Sequence, residues 1–241
     1  MHKKIEGIVV SEYPFEDNSK IIKIFTKEGI ISVIAKGAKK IKSPFFSTTG
    51  KFTLGTYNII FKDSGLSRLV DSDILDGFMN IKKDFSKISY ATYITELVLQ
   101  VYKHEENKNI YELYLASMLK INEGYDPQII SNILKLKLLD NLGIKPIIDR
   151  CVTCGNKTNI ITISSYLGGF VCKNCLKNEA LVDTKTISLI RMLYYVDISK
   201  ISKLDISDKI KKEIDTFIND YYDRYSGIYL KSSTILDNIN K

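Results

Sequence analysis

Lys20-Ile21-Ile22-Lys23-Ile24-Phe25-Thr26, then Lys27-Glu28-Gly29, then Ile30-Ile31-Ser32-Val33-Ile34-Ala35-Lys36: two runs dense in Ile, Val and Phe flank a short polar turn. β-branched and aromatic residues favour the extended backbone, and Gly29 supplies the positive φ that a hairpin loop needs. The stretch predicts two antiparallel strands, and the pattern repeats outward from it. Lys4 to Ser11 precedes as a first strand, while Phe52 to Lys62 and Leu66 to Ile74 follow as a fourth and fifth, joined across Asp63-Ser64-Gly65. Between the third and fourth runs, Gly37 to Lys51 is a longer connection holding Pro44 and Gly50. A small five-stranded barrel fits, of the oligonucleotide-binding or the SH3-like kind.

From about residue 80 the apolar spacing becomes helical. Helices are expected over Ile81 to Lys103, Asn109 to Ile121, Gln128 to Leu142, Thr184 to Val196 and Asp208 to Tyr225. Asp126-Pro127 is a start signal for the third, since Asp caps free backbone N–H groups and Pro fits the first turn. Its Ile and Leu residues cover too wide an arc for a surface helix, placing it at the centre of a helical domain. The chain of 241 residues thus divides into a barrel at 1–79 and a helical domain at 80–241. With 44% hydrophobic and 26% charged residues it has the material for packed cores, which excludes a mainly disordered protein. No stretch approaches the ~18 apolar residues of a membrane span, and the Met1-His2-Lys3-Lys4 start opens no signal-peptide apolar region. A soluble cytoplasmic protein without membrane partners is expected.

The formal charge is +7, from 35 Lys and Arg against 28 Asp and Glu. Its distribution is more informative: Gly29 to Lys62 holds no acidic residue but contains Lys36, Lys39, Lys40, Lys42, Lys51 and Lys62. A small barrel binds single strands by combining a positive groove that tracks phosphates with aromatic faces on which bases stack. Lys36, Lys39, Lys40, Lys42 and Lys51 are the candidate phosphate contacts, and Phe45 and Phe46, beside Pro44, the candidate stacking residues. A solvated loop is the alternative for the lysines, and Phe52 and Tyr57 are assigned to the core.

All four cysteines fall in Cys151-x-x-Cys154 and Cys172-x-x-Cys175. Two such pairs aim four thiolates at one ion, with Gly155 suiting the first knuckle. Four thiolates favour one tetrahedral Zn2+ with no open position for water, making the site structural. Two disulfides, an iron–sulfur centre and four unrelated thiols are the alternatives; the spacing and the expected compartment favour zinc. The segment between the pairs, with Ile160 to Ser164, Gly168-Gly169 and Phe170-Val171, reads as a short hairpin in a zinc ribbon at 149–178.

Catalytic machinery is not legible. The two histidines, His2 and His104, lack metalloprotease spacing; Phe52 after Gly50-Lys51 breaks a phosphate loop; no Gly-x-Gly-x-x-Gly occurs. A zinc deaminase needs a His or Cys-x-Glu element beside its cysteine pair, and none precedes Cys151 or Cys172. Acid pairs such as Glu105-Glu106 and Asp71-x-Asp73 read as solvated.

Further motifs carry a resemblance. Glu6-Gly7-Ile8-Val9-Val10, Ile24-Phe25-Thr26-x-x-Gly29 and Ala35-Lys36-Gly37-Ala38-Lys39-Lys40 resemble the N-terminal barrel of the RecO family of bacterial DNA repair proteins. Tyr93-x-x-Glu96-Leu97, Leu142-Gly143-x-x-Pro146 leading into the cysteine pairs, and Leu230-Lys231-Ser232 follow in that family's order, so the likeness spans the chain. It implies an α+β chain: an N-terminal five-stranded oligonucleotide-binding barrel, then an all-helical domain carrying a four-cysteine zinc ribbon. It further implies a non-enzymatic recombination mediator without a small-molecule substrate. Such a protein binds single- and double-stranded DNA, anneals complementary strands and works with RecR to load RecA onto DNA coated by single-strand-binding protein. By position, Lys36, Lys39 and Lys40 match the family's basic barrel segment and the four cysteines its zinc site; Lys42, Lys51, Phe45 and Phe46 rest on charge and stacking alone. Lysines stand where arginines are common in that loop, which suits phosphate contact without base readout. A zinc-ribbon transcription or translation factor is the alternative.

Overall fold

The computed structural model describes residues 1–239. Strands β1 (His2–Phe15), β2 (Ser19–Thr26), β3 (Gly29–Ala35), β4 (Leu54–Ile60) and β5 (Ser67–Asp76) form a closed barrel in the order β1-β2-β3-β5-β4. β1 pairs antiparallel with both β2 and β4, and β3 meets β5 in a short parallel pairing, Val33 with Ser67 and Ile34 with Arg68. With a one-turn helix, α1 (Phe45–Thr48), in the β3–β4 connection, this is the oligonucleotide-binding arrangement rather than the SH3-like one. Alternate residues fill the interior: Ile5, Val9, Ile22, Ile24, Val33, Tyr57 and Ile59. The Tyr57 hydroxyl donates to the carbonyls of Thr48 at 3.1 Å and Thr53 at 3.2 Å, so the buried phenol is satisfied.

Two local expectations differ from what forms. β1 runs four residues past Ser11, through a bulge between Val9 and Ser11, because Tyr13 and Phe15 pair with Ile21 and Ser19 at the hairpin end. Pro14 is tolerated there, near the end of the strand, where a missing N–H costs little. The expected 37–51 loop contains α1, whose first free N–H, that of Phe45, donates to the Ser43 hydroxyl at 3.2 Å.

The helices are α2 (Met79–Lys82), α3 (Phe85–His104), α4 (Lys108–Asn122), α5 (Pro127–Asn141), α6 (Thr184–Tyr195), α7 (Asp208–Tyr225) and α8 (Ser233–Ile239). The helix expected from Ile81 is split, since Asp84 caps α3 by accepting the Lys87 N–H at 3.0 Å. Asp126 caps α5 as anticipated, accepting from Gln128 and Ile129. α5 is buried on nearly every side. Between α5 and α6, strands β6 (Ile160–Ser164) and β7 (Gly169–Cys172) make the ribbon hairpin.

One apolar core crosses from barrel to helices. Phe25 leaves the outer face of β2 and meets Tyr102 edge-on at 5.0 Å and Tyr111 at 5.3 Å, and Ile8, Val10, Phe52 and Leu54 pack into the same cluster as α3 to α5. The helices therefore cover the end of the outer face of β2 that carries Phe25, while Lys23, one row further along the same face, stays exposed.

On α3, the Glu96 carboxylate accepts the Lys231 N–H at 3.0 Å, the Ser232 N–H at 2.9 Å and the Ser232 hydroxyl at 2.5 Å, clasping the chain just before α8. Burial raises the Glu96 pKa, but the Ser232 hydroxyl and these N–H groups together outweigh it and leave it below the ordinary value of 4.5. A depressed carboxylate pKa stabilises the fold above the unfolded value, and that contribution is lost as pH falls through the folded one. Glu96→Gln is expected to cost about 1–2 kcal/mol by removing a charge-assisted acceptor. Urea midpoints measured from pH 7 down to below 4.5 check this: the variant should be less stable at neutral pH and converge on the parent in acid. Matching profiles throughout would mean the clasp carries no stability.

Candidate nucleic-acid interface and metal centre

Lys36, Lys39, Lys40 and Lys42 are all exposed, at the end of β3 and in the connection that follows. The connection is held from behind: the Lys39 N–H donates to the Asn18 carbonyl at 3.0 Å, and successive turns close through Lys40 N–H to Gly37 O and Ser43 N–H to Lys40 O. None of the four lysines makes an ion pair among the described residues. Lys39 Nζ only approaches the Glu16 carbonyl at 3.4 Å. Their charge is thus available to an outside anion.

The two phenylalanines separate. Phe45 is half-buried and packs against the barrel core, anchoring α1. Phe46 is 44% exposed with the Lys20 ammonium 5.6 Å from its ring centre, the arrangement of a cation beside an open stacking face.

Sequence reasoning missed part of this surface. The register places Ile21, Ile34 and Arg68 in one row across β2, β3 and β5, and Lys23 opposite Ser32 in the next row on the same face. Lys23 and Arg68 are exposed. Alternation along Lys20–Thr26, with Ile22 and Ile24 inside, was a usable signal for Lys23. Arg68 had none, because it joins the face only through the non-local β3–β5 pairing. Ile41, 84% exposed between Lys40 and Lys42, is a further apolar tip on the loop.

Lys51 stands apart from the other candidates. It is half-buried at the barrel–helix junction, its ammonium 4.6 Å from the Phe52 ring centre. Burial lowers its pKa, while the Glu96 and Glu12 carboxylates oppose that shift. Its own N–H donates to Glu12 at 3.1 Å. Lys51→Met is expected to lower the thermal midpoint while changing oligonucleotide affinity by no more than about twofold, since phosphate contacts come from exposed lysines. Fluorescence anisotropy and a melting curve on one sample check both; a large affinity loss would return Lys51 to the interface.

The four sulfurs of Cys151, Cys154, Cys172 and Cys175 lie within 4.8 Å of one another. No disulfide joins them; Cys154 and Cys172 Sγ are 3.6 Å apart. A tetrahedral ion at ~2.3 Å from each sulfur would set them roughly 3.8 Å apart, so the cluster has the size of a four-thiolate metal site. Cys151 and Cys172 are buried, Cys175 half-buried and Cys154 exposed. Backbone geometry makes the knuckles: Gly155 N–H donates to Cys151 O at 2.9 Å, and the Cys172 N–H points at Cys151 Sγ at 3.5 Å. Burial raises the Cys151 pKa, but N–H groups of Cys154, Cys172 and Thr153 overcome it and bring the thiol down to about 6. Hydrogen bonding to Cys154, burial, and the charge on Cys151 push Cys175 up to about 12. Four thiolates this close require a cation to ionise together, and the donor set fits a soft or borderline one. At Gly169 the ribbon presses on Ile147: an added Cβ would lie 2.1 Å from the Ile147 carbonyl oxygen, so only glycine fits.

The model of the recombination protein O N-terminal domain matches residues 1–78 and that of its C-terminal domain residues 82–234. Among curated relatives, the DNA repair protein RecO of Listeria monocytogenes serotype 4b (strain F2365) is 34% identical over 244 residues, covering 99% of this chain and 95% of that protein. RecO of Shouchella clausii (strain KSM-K16) is 35% identical over 249 residues, covering 100% and 96%. RecO of Halalkalibacterium halodurans is 32% identical over 244 residues, covering 99% and 96%.

Proposed function

The chain belongs to the recombination protein O family, with a role in DNA repair and recombination, and on that premise we propose that it acts without catalytic turnover, by binding DNA on its barrel and bringing strands together. The observation that carries this reading is the set of unpaired, exposed lysines on a fixed loop beside Phe46. Lys36, Lys39, Lys40 and Lys42, continued by Lys23 and Arg68, offer phosphate contacts along the outer face of β2, β3 and β5, and Phe46 offers a stacking face. Point-charge contacts of this kind hold single and double strands alike with little base readout. Neutralising phosphates on two strands lowers the repulsion that opposes their pairing, so annealing needs no bond to break and no nucleotide.

In this reading the cysteine cluster holds one Zn2+ through Cys151, Cys154, Cys172 and Cys175, and the ion supplies rigidity rather than chemistry because four thiolates leave no open position. The family role extends to working with RecR and single-strand-binding protein to load RecA, as a soluble protein of the bacterial cytoplasm; no helix among the described residues is long and apolar enough to cross a membrane. Lysine-reactivity footprinting with and without a single-stranded oligonucleotide tests the interface. Protection of Lys23, Lys36, Lys39, Lys40 and Lys42 is expected, with the paired Lys27, 2.7 Å from Glu112, unchanged. Uniform reactivity with and without oligonucleotide would overturn it.

A further inference from the structure

Two acid-free stretches stand out along the chain: residues 29–62, which span β3, the basic connection and β4, and residues 150–178, which hold the cysteine ribbon; every other is 13 residues or shorter. Within the second, Lys157, Lys173 and Lys177 are exposed and make no ion pair among the described residues, whereas Arg150 is engaged by Asp149 at 3.1 Å. The three lysines belong to the two knuckles, which are tied together by the Lys173 N–H donating to the Asn159 carbonyl at 3.0 Å and by the sulfur cluster itself. The knuckles rest on a rigid base: Arg191 of α6 donates to the Ile148 carbonyl at 3.0 Å and stacks its guanidinium over Phe170 at 5.3 Å.

A dication in four thiolates leaves two negative charges at the centre, which two lysines would offset. The third lies next to Glu179, whose carboxylate accepts the Lys177 N–H at 2.8 Å, so the knuckles are near neutral overall and offer a phosphate three exposed ammonium groups among the Asn and Thr side chains at 153, 156, 158, 159, 174 and 178. The barrel abuts α3 and α4 through Phe25, and the ribbon abuts α6, with no hydrogen bond or ion pair joining ribbon to barrel among the described residues.

We propose that the ribbon knuckles are a second phosphate-binding site, taking a nucleic-acid strand other than the one on the barrel, so that a single chain holds two strands at once. This rests on the barrel reading above and adds to it what pairing needs: a place for a second strand apart from the barrel.

The test uses the full, metal-loaded chain and two non-complementary oligonucleotides carrying donor and acceptor dyes, so that energy transfer reports bridging without base pairing. Anisotropy of one labelled oligonucleotide reports barrel binding separately. Lys157→Glu, Lys173→Glu and Lys177→Glu together are expected to reduce bridging at least tenfold while leaving single-oligonucleotide affinity within about twofold, and to make the salt dependence of bridging shallower by ~2 in log–log slope, three contacts at ~0.7 each. Because charge reversal beside the knuckles could disturb the metal, Lys→Gln at the same three positions is measured in parallel with metal content. A folded, metal-replete variant that bridges as well as the parent overturns the second site. A parent that binds one oligonucleotide but never bridges two also overturns it and leaves the barrel reading standing; a parent that binds none overturns both.

Discussion

Stripping the metal from the four-cysteine centre is expected to unfold the ribbon and lower the thermal midpoint of the whole chain by roughly 10 °C or more. Apparent binding free energies of structural Zn2+ sites are ~10–16 kcal/mol, and a chain of this length loses about 2–4 °C of midpoint per kcal/mol. Half of that energy, transmitted to the body, reaches the stated shift. Transmission is direct because the ribbon is not an appendage: Phe170, Ile163 and Ile148 share the main core with α5 to α7, and Arg191 of α6 stacks on Phe170. Loss of the hairpin would expose that core, so aggregation on heating is expected as well. Cys151→Ser and Cys172→Ser, at the two buried sulfurs, should reproduce the effect, and Cys154→Ser, at the exposed one, should be milder. Metal analysis with calorimetry before and after chelation checks this, and restoration on adding Zn2+ closes the experiment. A metal-free chain with an unchanged midpoint would show that the four thiols pack without an ion.

Changing Lys36, Lys39 and Lys40 together to Glu is expected to weaken single-strand binding by about 100-fold at low salt and to flatten the salt dependence by ~2 in log–log slope, three contacts at ~0.7 each. The fold should be untouched, because the three side chains are exposed, make no ion pair among the described residues, and have only the 3.4 Å contact from Lys39 to the Glu16 carbonyl. Affinity across a salt series, alongside a melting curve, separates lost contact from lost structure. A folded triple variant with parental affinity and slope would remove the loop from the interface.

Much of this was legible in the sequence because it is local. Hairpins announce themselves by runs of Ile and Val around Gly29 and Gly65, the central helix by Asp126-Pro127 and an apolar surface all round, and the four-sulfur cluster by two Cys-x-x-Cys pairs. What stayed hidden depends on contacts distant in sequence. α1 is a single turn, too short for any period to register, and α8 is barely two. Lys51 reads like its neighbours in the string yet turns into the junction with Glu12 and Glu96, because the outward-facing Phe25 and Phe52 draw that side of the barrel onto the helices. Arg68 joins the basic face only through strand pairing with Ile34. Phe45 and Phe46 are adjacent and chemically identical, but α1 turns one toward the core and leaves the other beside Lys20.

The shared core has a consequence for how the protein works. A barrel welded to α3 and α4 through Phe25 and its three tyrosine neighbours is held at a fixed angle to the helical body. In the function proposed, strands bound to the barrel would therefore meet others in a defined geometry rather than on a swinging domain.

Strand pairing is tested most directly by annealing of complementary oligonucleotides with the purified, metal-loaded chain, free and precoated with single-strand-binding protein, over a salt series without nucleotide. Pairing faster than the spontaneous rate, independent of ATP and declining as salt rises, is the expected result. No binding and no acceleration at low salt, with the metal in place and the chain folded, would contradict it.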